Sequence, residues 1–187
     1  MDESREGQDR KPPRQAKPPR KVSPTYLENA ALHYLKRYAA TQSQLKRVLM
    51  RRVTKSLKFH GGDKAQALGW LDELVAKLVR NGLLNDEAYA RMKAHSLRAS
   101  GRSTRVIAQK LRMKGVSADV VTQKLADATA EVSDEDAARI WARKKRLGPF
   151  RKVASTREEN RQRDLASLAR AGYPFSIAKK IIDSDPE

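Results

Sequence analysis

Lysine and arginine are the residues whose type and spacing promise chemistry. Arg47, Arg51, Lys55 and Lys58 recur at helical spacing and share one face, with Arg52 beside them. Arg102 and Arg105 lead towards Lys110, Arg112 and Lys114, which flank the apolar Leu111. Arg139, Arg143, Lys144, Lys145 and Arg146 crowd a further segment, and Arg161 and Arg163 follow. Cations at this density meet phosphate, or the acidic groove of a protein assembly. Phosphate contacts displace counterions and make affinity fall steeply with salt. A solvated helix face would account for any one cluster. The whole chain argues for a binding surface: 40 Lys plus Arg stand against 22 Asp plus Glu in 187 residues, a net charge of +18.

Other chemistries find little support. There is no cysteine, hence no disulfide scaffold, thiolate metal site or thiol nucleophile. His33, His60 and His95 lie far apart, and none stands at ligand spacing from an acid. Gly61-Gly62-Asp63-Lys64 lacks the Gly-Lys-Ser/Thr of a phosphate loop and reads as a turn with Asp63 as helix cap. Asp72-Glu73, Glu131 to Asp136 and Glu158-Glu159 sit mostly near helix starts, where they complement the macrodipole. Magnesium-dependent nuclease chemistry needs more geometry than that. No catalytic residue, cofactor or metal ligand is therefore assigned, and the chain reads as a non-enzyme. Tyr26, Tyr34 and Tyr38 read as core; Phe150, Tyr173 and Phe175 flank helix breaks and read as open to solvent.

The elements that must carry these side chains are helices. From Thr25 to Gly148 there is no proline, strand-like alternation is missing, and apolar residues recur at helical spacing. Thr41 and Gln44 resemble a capping box, and Gly82, Gly101 and Gly115 mark helix ends. About nine helices are expected. Leu111 to Val120 aligns with Leu168 to Ile177, placing Gly115 on Gly172 at an offset of 57 residues. Chance could align two such hairpins. A repeat would give an elongated, neighbour-to-neighbour array. The expected spans are 25–84, 85–131 and 132–187, each a three-helix unit. Residues 1–24 hold five of the eight prolines and almost no large apolar side chains, so they read as a disordered basic tail. Seven Lys/Arg against four Asp/Glu there leave +15 on the remainder. No apolar run approaches the roughly 18 residues of a membrane span, and no apolar leader is visible at the start. A cytoplasmic monomer without membrane contact is expected.

Three segments carry a resemblance. Gly82-Leu-Leu-Asn-Asp86-Glu-Ala-Tyr89-Ala90 is the strongest; Gly101-Arg102 precedes a helix ending Lys110-Leu111-Arg-Met-Lys114-Gly115-Val116; the last reads Leu168-Ala-Arg170-Ala-Gly172-Tyr173. Their order and spacing resemble the RecX family, regulators of the RecA recombinase, over about Tyr26 to Ile182. The sequence departs from that pattern at Arg51 to Gly62, which is longer and more basic than a short lysine-glycine turn, and at Pro174. The resemblance implies an all-α array of three tandem three-helix repeats. It also implies a non-enzymatic negative regulator that binds RecA, or its filament on single-stranded DNA, and restrains ATP hydrolysis and strand exchange in recombination and repair. Single- or double-stranded DNA would be met through phosphate. The alternative is a general helical DNA-binding protein such as a helix-turn-helix repressor, with Val106–Gly115–Leu125 as its hairpin. Against it, basic residues are spread over all units rather than gathered on one recognition helix.

Overall fold

Ser23, Thr41, Asp63, Asn85, Ser103, Ser117 and Ser133 each stand before an apolar-periodic run, and each opens a helix. The structure is a computed structural model that describes residues 18–185. The helices are α1 (Pro24–Leu35), α2 (Gln42–His60), α3 (Lys64–Arg80), α4 (Asp86–Ala99), α5 (Thr104–Met113), α6 (Ala118–Glu131), α7 (Asp134–Lys145), α8 (Arg157–Arg170) and α9 (Phe175–Ile182). Two short 3-10 turns, Gly148–Phe150 and Ala154–Thr156, join α7 to α8. Among the described residues all regular structure is helical, as the periodicity requires. Six of the seven cap side chains accept a backbone N–H from their own first turn, for example Ala88 to Asn85 at 2.8 Å. Thr41 caps α2, but Gln44 does not close the box: its Nε2 donates to the Tyr34 hydroxyl at 2.9 Å.

The expected tail lies outside the described residues up to Lys17. Beyond it the chain is already seated. The Val22 N–H donates to Ser56 Oγ at 2.8 Å, and the Pro19 carbonyl meets His60 Nε2 at 2.6 Å. Pro24, placed in the tail on composition, is the first residue of α1. Proline fits there because the first helical N–H has no intrahelical partner to lose.

Buried apolar residues form three clusters, each drawn from three successive helices. Leu27, Leu45, Leu49, Leu71 and Leu78 lead the first, Ile107, Leu111 and Val121 the second, and Leu165, Leu168 and Ile181 the third. What joins one triplet to the next is largely polar and reuses helix caps. Thr41 Oγ1 accepts from the Gln44 N–H and donates its own proton to the Lys114 carbonyl. Ser103 Oγ accepts from the Val106 N–H and donates to the Ala171 carbonyl at 2.7 Å. A hydroxyl can do both at once. Each accepting carbonyl stands just before a glycine at positive φ, Gly115 at +85° and Gly172 at +89°. A Cβ on Gly115 would overlap Ser43, and one on Gly172 would overlap Ser103 Oγ. The two glycines that align in the sequence thus occupy the same place in successive joints.

The second joint is tighter. Arg98, 1% exposed, donates from Nε to the Val132 carbonyl at 2.8 Å and from Nη1 to the Arg102 carbonyl at 3.3 Å, while Nη2 lies 2.7 Å from Asp134 Oδ1. Tyr173, read as exposed in the sequence, is buried and donates to the Gly101 carbonyl at 2.9 Å. Burial raises its phenol pKa far above the ordinary value. Within the third triplet, buried Asp164 accepts from Arg151 Nε and Nη2 and from the Gly148 N–H, pinning the turn after α7 onto α8.

Three substitutions check this account. Gly115→Ala is expected to destabilise by about 1–3 kcal/mol in urea denaturation, through left-handed strain and overlap with Ser43. Gly69→Ala, in the interior of α3 with open space around it, is expected to stabilise by roughly 0.5–1 kcal/mol. Arg98→Ala is expected to cost roughly 3 kcal/mol, the low end for breaking a buried ion pair, because Asp134 is 36% exposed and can rehydrate.

Candidate nucleic-acid and partner interface

The cations singled out in the sequence fall into two groups: those bound inside the fold and those left facing outward. On α2, Arg51, Lys55 and Lys58 are exposed along one face. Arg47, assigned to that same face, donates instead to the Met113 carbonyl at 3.0 Å and so spans the first joint. Arg52 donates to the Tyr26 hydroxyl at 3.3 Å. Lys114 is half-buried as the cap of α5, with its carbonyl held by Thr41. Arg105, Lys110 and Arg112 are exposed on α5. Arg105 and Arg112, two turns apart, line one shallow depression with Met113.

The α4–α5 turn connects this helix to α7. Arg102 is half-buried and lies with its guanidinium carbon 4.4 Å from the centre of the Trp141 ring; Lys145 Nζ approaches the same ring at 5.4 Å. Arg143 lies 5.2 Å from the Phe150 ring. The aromatic faces attract and orient these cations. Lys144, Lys145 and Arg146 are exposed, and Arg146 ends α7 in the left-handed conformation at φ 55°. Arg139 and Arg143 line a depression with Lys144 and Asp136. Contacts link the helices that carry these cations: Arg47 of α2 reaches the Met113 carbonyl at the end of α5, which is about 15 Å long, and Arg102 before α5 stacks on Trp141 of α7 beside Lys145.

Arg161 leaves this set. Its Nε and Nη2 each donate to Asp183 at 2.7 Å, which neutralises the charge and holds the Asp183 carboxyl below the usual carboxylate range, the hydrogen bond being the main cause. Arg163, two residues on, is exposed with no partner among the described residues. The α5–α6 hairpin also loses its likeness to a DNA-reading motif. The N-terminus of α5 is buried against Ala171, and α6 opens with Asp119 and carries one cation, Lys124, 3.9 Å from both Glu87 and Asp127. His95, without a nearby acid in the sequence, meets Glu131 through space at 2.7 Å. Among the described residues no group of His, Cys, Asp or Glu could hold a metal ion, and no helix is long and apolar enough to cross a membrane.

Three comparisons bear on this architecture. A family model described as the second three-helix domain of RecX matches residues 85–125, which take in α4, α5 and the first part of α6. The regulatory protein RecX of Myxococcus xanthus is 77% identical over 186 residues, covering 100% of both chains. The chain belongs to the RecX family. A more distant RecX, from Agrobacterium fabrum, is 33% identical over 84% of this chain and 82% of its own. The fold agrees with the crystal structure of a regulatory protein RecX at TM-score 0.60 and 22% identity, over 86% of this chain and 72% of that one. Within the RecX frame, Arg98 is the residue that sequence reasoning missed. Nothing in its neighbours marks it, and only its i+4 relation to the buried Ala94 and its place before Gly101 could have placed it in the core.

The sorting of Arg161 from Arg163 is open to measurement. A carboxyl whose pKa is lowered by folding adds stability that is present above its unfolded value, about 3.9, and lost as pH falls through the folded one. Arg161→Ala should therefore lower the thermal midpoint at pH 6 and have a much smaller effect near pH 2. Arg163→Ala should leave the profile of midpoint against pH unchanged.

Proposed function

We propose that this protein binds the RecA recombinase, or its filament on single-stranded DNA, and inhibits ATP hydrolysis and strand exchange. The residues 25–84, 85–131 and 132–187 would act as three repeats that follow the filament. The observation that carries the reading is the full-length match to a protein named for regulation, and it is supported by exposed cations on α2, α5 and α7, one helix from each triplet. Outward-facing Arg51, Lys55, Lys58, Arg105, Lys110, Arg112, Lys144, Lys145 and Arg146 meet DNA phosphate or acidic loops of adjacent recombinase subunits. Bridging subunits blocks extension of the filament or entry of duplex. The protein works as a cytoplasmic monomer and carries out no chemistry of its own, so its effect is stoichiometric. Arg47 and Lys114 serve by holding the first joint rather than by touching the polyanion.

The test is RecA-driven ATP hydrolysis on single-stranded DNA with this protein titrated in at two salt concentrations, against an unrelated basic DNA-binding protein. Inhibition far below the level that coats the DNA, and absent in the control, is expected. No inhibition at either salt overturns the reading, and equal inhibition by the control reduces it to competition for phosphate. Arg51→Glu/Lys55→Glu/Lys58→Glu should weaken inhibition and leave helicity by circular dichroism unchanged. It should also flatten the slope of log affinity against log salt by roughly 0.9 for each phosphate no longer neutralised. Inhibition that survives this triple change intact would remove the α2 face from the interface.

A further inference from the structure

One concavity among the described residues is lined mainly by apolar side chains. It lies at the first joint, between the end of α1, the α3–α4 turn and α4, with a volume of about 510 Å³. Leu32, Tyr38, Leu83 and Met92 line it, and each is an apolar side chain at least 42% exposed. Buried Tyr89 forms part of its wall. Lys36 is the one charged residue of the lining. Large apolar side chains gathered this way on a charged protein mark a place of contact. Leu32, Leu83 and Met92 stand outside the apolar clusters, Tyr38 rests on half-buried Tyr34 at 5.1 Å between ring centres, and one cation among twelve lining residues is the wrong composition for a phosphate backbone.

The surrounding charge says what kind of partner fits. Arg37 follows Lys36, Arg80 precedes the Gly82-Leu83 turn, and Arg91 precedes Met92. All are exposed, and neither they nor Lys36 pair with a carboxylate among the described residues. The acids of the neighbouring α4 N-terminus are already engaged. Asp86 accepts from the Gln42 N–H at 2.9 Å, and Glu87 faces Lys124 at 3.9 Å. An apolar cleft whose one charged lining residue is a cation, with exposed arginines close to its lining residues in sequence, complements an acidic segment with apolar anchors. Its volume suits two or three large side chains.

We infer that this cleft binds a protein segment of the recombinase, apolar residues inserted beside Leu83 and Met92 and carboxylates against Lys36 and its neighbours, separately from any contact with DNA. The inference rests on the regulatory reading above. Because the cleft bridges the first and second triplets, an occupant also fixes the angle between them.

The experiment measures binding of the full-length chain to RecA without DNA, and separately to a labelled single-stranded oligonucleotide. Leu83→Gln/Met92→Gln alters exposed side chains only and should weaken RecA binding on the order of tenfold or more, with oligonucleotide affinity unchanged. Lys36→Glu should weaken RecA binding more at low salt than at high salt. Val153→Gln, exposed and outside both the cleft and the basic helix faces, should do neither. Unchanged RecA affinity in the double variant overturns the inference, as does an equal loss of oligonucleotide binding, which would make nucleic acid the occupant. Wild-type chain that fails to bind RecA in any state overturns the regulatory reading, and this inference with it.

Discussion

A serine or threonine that caps a helix has one hydrogen left over after it has accepted its own first-turn N–H. In this protein that hydrogen is the connector. Thr41 and Ser103 each give it to a carbonyl at a helix end in the following triplet, Lys114 and Ala171 respectively. The same atom therefore starts a helix and docks its neighbour. The requirement is reciprocal: the accepting turn must come close, and only a residue without a Cβ lets it do so. Hydroxyl, carbonyl and glycine form one unit of construction, used twice, and the spacing of the triplets follows from it. The apolar clusters stabilise each triplet; these polar contacts set how one is placed on the next.

The distribution of cations follows from that construction. A chain with 40 Lys and Arg cannot place all of them outward at equal value. Some close the frame. Buried Arg98 donates to two carbonyls and lies beside the Asp134 carboxylate, Arg151 clamps Asp164, Arg161 covers Asp183, and Arg47 reaches across to Met113. Others face outward, on α2, α5 and α7 and also at Lys36, Arg37, Arg80, Arg91 and Arg163, and the stacked Arg102–Trp141–Lys145 group links the α4–α5 turn to α7. Two surfaces of different character result, one polycationic and one mainly apolar, and they suit different binding partners.

Much of the fold was legible because local rules decide helix starts and ends. Caps such as Thr41 and Asp63, the stops at Gly82, Gly101 and Gly115, and the apolar periodicity mark where helices begin and end, whereas Ser23, the cap of α1, lies in the span read as tail. The equivalence of Gly115 and Gly172 was visible too, since a close approach leaves no choice of side chain. What the sequence concealed is long-range. Tyr38 continues an apolar stripe and Tyr173 flanks a helix break, yet the first is 56% exposed and the second is buried beneath Gly101. Arg98 and Arg161 look like their solvent-facing neighbours, and their partners lie 34 and 22 residues away. Composition misjudged residues 18–24 because proline marks tails and first helical turns alike. For the candidate surface, the residue types were readable from charge alone, but which of them face outward depended on pairings that no window of sequence contains.

Contacts that run only from one triplet to the next have a consequence for how the chain is made. The first apolar cluster is complete at Leu84, so it needs nothing from the second half of the molecule. Synthesis proceeds from the N-terminus at roughly 5–20 residues per second, whereas local helical contacts close in microseconds to milliseconds. The first triplet can therefore fold while the third is still inside the ribosome. Each later triplet then meets a finished surface, with the Thr41 and Ser103 hydroxyls already in position to receive it.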